Sequence, residues 1–124
     1  MSQETGASFD PLKTFLEKLL AFYRARNWEQ FHSPKNVVMD LVSEVGELTD
    51  LFRWLTEKQS SELDEKTLQD AKDEIGDVFK AIVYLAHRLG IDPIQAAEEK
   101  LQKMGQKYPV EKSYGNAVKY TNYQ

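Results

Sequence analysis

Glu44-Val45-Gly46-Glu47-Leu48 and Glu74-Ile75-Gly76-Asp77-Val78 repeat one pattern thirty residues apart: acid, branched apolar, glycine, acid, apolar. In a helix the two acids of each copy, spaced i,i+3, project from one face a turn apart. Two such helices side by side gather four carboxylates, which repel one another and resist burial unless a hard cation neutralises them. For any single pair the ordinary reading is a solvated face, because charged side chains are mostly exposed. Phase argues against that here. At about 100° per residue, Val38, Leu41, Val45, Leu48, Phe52 and Leu55 form one apolar arc, with Glu44 inside it between Leu48 and Leu51 and Glu47 at its edge. In the second copy Ile75, Val78, Phe79, Ile82 and Ala86 make the arc, Glu74 borders it, and Asp77 lies further round with Asp70. The acids are therefore expected at the rim of a buried face. Each copy also sets a glycine in mid-helix, at a cost of about 1 kcal/mol relative to alanine, which suggests close approach of a neighbouring backbone.

Outward from these copies the punctuation is helical throughout. Asp10-Pro11 and Ser33-Pro34 are cap-plus-proline starts. The first opens a helix running to about Arg26, with Phe9, Leu12, Phe15, Leu16, Leu19, Leu20 and Tyr23 at helical spacing; the second opens the first acidic helix, expected to end near Thr56. Residues 57–66 are polar and read as a hinge. The second acidic helix is expected from Glu65 to Leu89, with Arg88 and Gly90 as stop signals. Asp92-Pro93-Ile94-Gln95 begins a fourth helix, with Gln95 placed for a capping box, and Tyr108-Pro109 ends it. The connector Asn27-Trp28-Glu29-Gln30-Phe31-His32-Ser33 is richer in aromatics than a linker needs. Trp28 there suits a core cap or a binding loop, and His32 a bonded turn residue or a ligand contact.

The expected organisation is all-α: residues 1–8 a flexible N-terminus, 9–109 a four-helix catalytic domain, and 110–124 an extended C-terminal arm. The chain's 124 residues suffice for one core. A net charge of -4 and a pI near 5.2 offer no footprint for duplex nucleic acid. The absence of cysteine excludes disulfides, thiolate nucleophiles and zinc-thiolate sites. With no signal-like start and no apolar run of the ~18 residues a span requires, a cytoplasmic protein without a membrane partner is expected.

The chemistry narrows by elimination. Neither a GxxxxGK[ST] loop nor a GxGxxG turn occurs. A di-iron carboxylate bundle requires two Glu-x-x-His motifs, and only Glu29-x-x-His32 exists, with Pro34 close behind. Oxygen ligands alone suit Mg²⁺ or Mn²⁺, which bind carboxylates, waters and substrate phosphates.

Five motifs in one order, Asn27-Trp28-Glu29-Gln30-Phe31-His32, Glu44-x-x-Glu47, Trp54, Glu74-x-x-Asp77 and Lys107-Tyr108-Pro109-Val110-Glu111-Lys112-Ser113 with Lys119-Tyr120, resemble the MazG-like all-α nucleoside triphosphate pyrophosphatases, and within them the dCTP pyrophosphatases. The resemblance spans Asn27 to Tyr120. It implies Glu44, Glu47, Glu74 and Asp77 as Mg²⁺ ligands, Trp28, His32 and Trp54 around the base, and Lys107, Tyr108, Lys112 and Lys119 toward the phosphates. It also implies hydrolysis of a triphosphate such as dCTP or a modified pyrimidine form to monophosphate and pyrophosphate. Glu44 or Glu47 would then act as general base, and the unit would be a homo-dimer or homo-tetramer. Three positions differ from the common pattern: Ser43 where some relatives carry another glutamate, and Ala81 and Met104 where a tyrosine and an asparagine are frequent. A non-catalytic helical adaptor and a nucleotide sensor without turnover are the rival readings.

Overall fold

A computed structural model describes residues 8–124; the polar start, apart from Ser8, lies outside them. Every regular element among the described residues is helical. Helix α1 spans Pro11–Ala25, α2 Pro34–Phe52, α3 Glu57–Ser60, α4 Glu65–Leu89, α5 Pro93–Lys107 and α6 Val110–Ser113, with 3₁₀ turns at Glu29–Phe31 and Tyr120–Asn122. None is long and apolar enough to cross a membrane. The chain groups into two compact units that divide between Gly90 and Ile91. The fourth long helix thus belongs with the tail, whereas the sequence reading divides after Pro109.

Caps fix most boundaries. Asp10 accepts from the N–H groups of Leu12 and Lys13, Ser33 from Asn36, and Asp64 from Thr67, each satisfying donors that a helix leaves free at its start. Gly90 ends α4 with a left-handed φ of 69°, a conformation glycine adopts without a Cβ penalty. Helix α2 stops at Phe52, short of the expected Thr56, because Thr56 is engaged in a reciprocal cap with Gln59 that starts α3 inside the supposed hinge. The capping box expected at Gln95 is only half formed. Asp92 caps the N–H groups of Ile94 and Gln95, while the Gln95 amide donates to Glu99 Oε2 instead.

In the first unit α2 packs along α4, and α1 lies on α4. The core is a knot of Leu19, Leu20, Val37 and Tyr84, with Phe15, Leu16, Tyr23 and Leu85 around it. On α4 the buried residues are Ala71, Ala81, Val83, Tyr84 and Ala86. This corrects the expected arc, since Ile75, Phe79 and Ile82 are 57%, 50% and 40% exposed. Phe79 still meets Phe15 of α1, ring to ring at 6.3 Å, whereas burial on α4 falls on Val83, Tyr84 and three alanines. Val38 and Val45 on α2 are exposed as well. No neighbouring backbone of this chain approaches the mid-helix glycines as expected: a Cβ at Gly46 or Gly76 would meet nothing within 4 Å.

In the second unit the tail is not one extended arm. Ser113 Oγ donates to the carbonyl of Pro109 and Asn116 Nδ2 to that of Lys112, which holds the α6 turn. Tyr108 sits edge-on to Tyr120 and Tyr123.

Candidate functional site

Helices α2 and α4 bring the carboxylates of Glu44, Glu74 and Asp77 together, with one oxygen of each within 4.8 Å of the others. The residues are half-buried, but the Oε2 atoms of Glu44 and Glu74 are shielded from solvent and have no hydrogen-bond partner. Burial pushes the Glu44 carboxyl up to about 7, helped by the charge of Asp77, the adjoining Glu74 carboxyl, and the charges of Glu47 and Asp40. Burial likewise raises Glu74; the adjoining Glu44 carboxyl opposes that shift, and Glu47 and Asp77 add to it. Glu47, expected as a full fourth member, is exposed and stands outside the trio, yet close enough to Glu74 to act on it. Crowded carboxylates with orphaned oxygens and no nitrogen or sulfur donor fit a hard divalent cation.

Beside the acids, within the same unit, lies a cavity of about 610 Å³. Phe22, Tyr23, Trp28, Phe31 and His32 supply aromatic wall, and Ala81 and Tyr84 line it from α4, while Asn36, Asp40, Lys18 and Lys80 supply polar groups. The connector is stitched to α1 so that its side chains reach this space. Trp28 N–H donates to the Tyr23 carbonyl at 3.0 Å, Arg24 pairs with Glu29 at 3.1 Å, and Asn27 takes a left-handed φ of 53°. The Trp28 ring meets Phe22 edge-on at 5.9 Å, and the His32 ring meets Tyr23 at 4.5 Å.

Residues 40–122 match the model of the MazG-like family. The chain belongs to that family. This MazG-like chain is 40% identical to dCTP pyrophosphatase 1 of Mus musculus, over 98% of its own length and 78% of that protein's. It is 35% identical to dCTP pyrophosphatase 1 of Homo sapiens, over 92% and 70%. Among solved structures it superposes with a TM-score of 0.80 on a pyrophosphatase from Archaeoglobus fulgidus DSM 4304, at 29% identity, covering 86% of this chain and 99% of that one.

Not every expected site residue joins the cavity. Trp54, expected with Trp28 and His32 around the base, does not line it; the residue is 84% exposed, with the Arg53 guanidinium 5.3 Å from the ring. In the second unit, Lys107 places its ammonium 5.0 Å from the Tyr120 ring, Tyr108 caps α5, Lys112 lies on α6, and Lys119 precedes the last 3₁₀ turn. Tyr84, Lys80 and Asp40 escaped sequence reasoning. Tyr84 was detectable, since it falls two turns beyond Asp77 on the same face of α4.

Proposed function

We propose that this protein, a nucleoside triphosphate pyrophosphatase, cleaves dCTP or a modified pyrimidine deoxynucleotide between the α and β phosphorus, using Mg²⁺ or Mn²⁺ held by Glu44, Glu47, Glu74 and Asp77. The observation that carries this reading is the trio of carboxylates within 4.8 Å of one another on the helix pair whose α4 also lines an aromatic cavity. An all-oxygen cluster suits a cation that binds phosphate, and the cavity suits a base. The named activity of the mouse and human relatives supports the choice of cytosine.

A divalent cation held there would neutralise charge on the phosphates and lower the pKa of a bound water. The chain's own residues do the rest. Glu44 is the general base of this reading: its Oε2 is shielded within the trio and has no hydrogen-bond partner to compete for a proton from water. Glu47, exposed beside Glu74, is the second carboxylate given to the chemistry. Trp28 stacks on the base, an interaction that contributes roughly 1–3 kcal/mol, and His32 meets its edge. Lys107, Tyr108, Lys112 and Lys119 are assigned to the phosphates.

The same reading includes a homo-oligomer, dimer or tetramer. Leu68, Ile75, Ile82 and Leu89 recur every seven residues along α4 and are 59%, 57%, 40% and 52% exposed, which is the spacing of a helix that packs on another helix. In that assembly Trp54 of a second copy closes the base site.

The test is a panel of canonical and modified triphosphates incubated with and without Mg²⁺, with both products identified. Metal-dependent formation of monophosphate and pyrophosphate, fastest with a pyrimidine deoxynucleotide, is expected. Release of orthophosphate alone, or no turnover of any triphosphate, would defeat the proposal.

A further inference from the structure

Among the described residues, one ion pair joins the cavity wall to the acid cluster. Lys80 lines the cavity, and its Nζ lies 3.4 Å from Oδ1 of Asp77, a member of the carboxylate trio. Both side chains remain 37% and 40% exposed, and 3.4 Å is long for a charge-assisted bond, which is usually about 2.7–2.9 Å. Such a pair holds weakly. Lys80 is thus a loosely tethered ammonium at the seam between an aromatic space and a group of anions.

That position has a problem to solve. Glu44, Glu47, Glu74, Asp77 and Asp40 make the seam strongly negative, and a nucleotide brings more negative charge to the same place. The phosphate nearest the nucleoside must lie where the cavity ends and the acids begin. Once Asp77 is engaged with a cation, the Lys80 ammonium loses its tether while staying within reach of that boundary. Lysine suits the task, being a compact point charge on a flexible stem. We propose that Lys80 binds the α-phosphate of the substrate, moving from Asp77 to the phosphate as the nucleotide enters.

This inference rests on the nucleoside occupying the cavity, and the experiment separates the two ideas. Binding of deoxycytidine, thymidine and deoxyadenosine, and of their 5′-monophosphates, is measured by calorimetry with Mg²⁺ present, for the full-length protein, Lys80→Met, Lys80→Arg and Trp28→Ala. For the bases that bind, Lys80→Met should weaken the monophosphate roughly tenfold, the scale of one charged hydrogen bond, and leave the nucleoside within about twofold. Lys80→Arg should recover much of the loss. Equal weakening of nucleoside and monophosphate would make Lys80 only a wall of the cavity, and no weakening of either would remove it from the site; both outcomes overturn the proposal. If nucleosides bind equally well to Trp28→Ala and the unchanged protein, or bind to neither, the cavity reading itself falls.

Discussion

The hydroxyl of Tyr84 lies 3.0 Å from Nδ1 of His32, joining the middle of α4 to the end of the aromatic connector. Tyr84 is 2% exposed, and its O–H has no other acceptor among the described residues. Burial raises its phenol above the usual value, so the hydroxyl keeps its proton. The contact ties the imidazole to the core of the unit through Nδ1 and fixes the orientation of the ring.

Removing that hydroxyl tests the arrangement. Tyr84→Phe should fold, lose about 1 kcal/mol of stability, and raise KM for the best triphosphate about three- to tenfold, with kcat changed less. Steady-state kinetics and a melting curve decide it. An unchanged KM would mean that the orientation of His32 does not matter to substrate.

The fold was legible in the sequence wherever a start or stop signal and a helical spacing coincided, as at Asp10-Pro11, Ser33-Pro34 and Arg88 through Gly90. It was less legible where side chains outweighed periodicity. Thr56 and Gln59 divert the chain into α3, and Ser113 and Asn116 bend the tail into turns. Glu44, Glu74 and Asp77 were legible as neighbours from the repeated acidic pattern, whereas Glu47 stands apart from them. Which large residues face inward was not legible, because Val83 and Tyr84 take the buried positions on α4 while Ile75, Phe79 and Ile82 keep about half of their surface exposed. The bond between His32 and Tyr84 spans two elements and leaves no local pattern to read.

The crowding of acids ties cation binding to stability. Replacing Asp77 with asparagine removes one of the charges that hold Glu44 up and relieves repulsion within the trio. Asp77→Asn should therefore melt at or above the temperature of the unchanged protein in EDTA, gain less from Mg²⁺, and lose at least about a hundredfold in kcat, on the scale of losing electrostatic stabilisation. Full activity in this variant would exclude Asp77 from the metal site.

The pH dependence has a definite sign. Glu44 titrates near 7 in the folded chain, against an ordinary 4.5, so the folded state holds this proton more tightly than the unfolded state. Its contribution is fully present below about 4.5 and is lost as pH rises through about 7. In EDTA the melting temperature should fall between pH 5 and pH 8. Mg²⁺ should offset the fall, with the largest stabilisation at pH 8, where the carboxylates are free of protons. Melting curves across this range, with and without Mg²⁺, give the answer; a metal-free melting temperature that rises toward pH 8 would contradict it.

Asn27 sets the direction of the connector. Its φ of 53° lies in the left-handed region, which asparagine and glycine visit readily and β-branched residues do not. Asn27→Gly should leave stability nearly unchanged, whereas Asn27→Val should cost about 1–2 kcal/mol and shift Trp28 from its place beside Phe22 and Tyr23. Melting curves and Trp28 fluorescence would record both effects. Equal tolerance of glycine and valine would show that the backbone there is free to relax.

The outward stripe on α4 leads to the last prediction. Leu68, Ile75, Ile82 and Leu89 expose apolar surface at seven-residue spacing along a helix that also packs against α1 and α2. Scattered single exposures need no explanation, but four in register are a contiguous patch of the kind that marks an interface. A two-fold pairing of the stripe with itself would cover it in one step, since isologous contacts use the same surface twice. Ile82 is the informative position, because a charge there disturbs the stripe without touching Glu44, Glu74 or Asp77. Ile82→Glu should convert the species seen by light scattering into a single 14.3 kDa chain. If Trp54 closes the base site from a second copy, the same variant should also raise KM severalfold at concentrations where the unchanged protein is assembled. Mixing an inactive Asp77→Asn chain with a Trp54→Ala chain should then restore turnover in the hybrid oligomers. A monomeric unchanged protein with full activity would rule out the assembly, and an active monomeric Ile82→Glu variant with unchanged KM would show that each chain completes its own site.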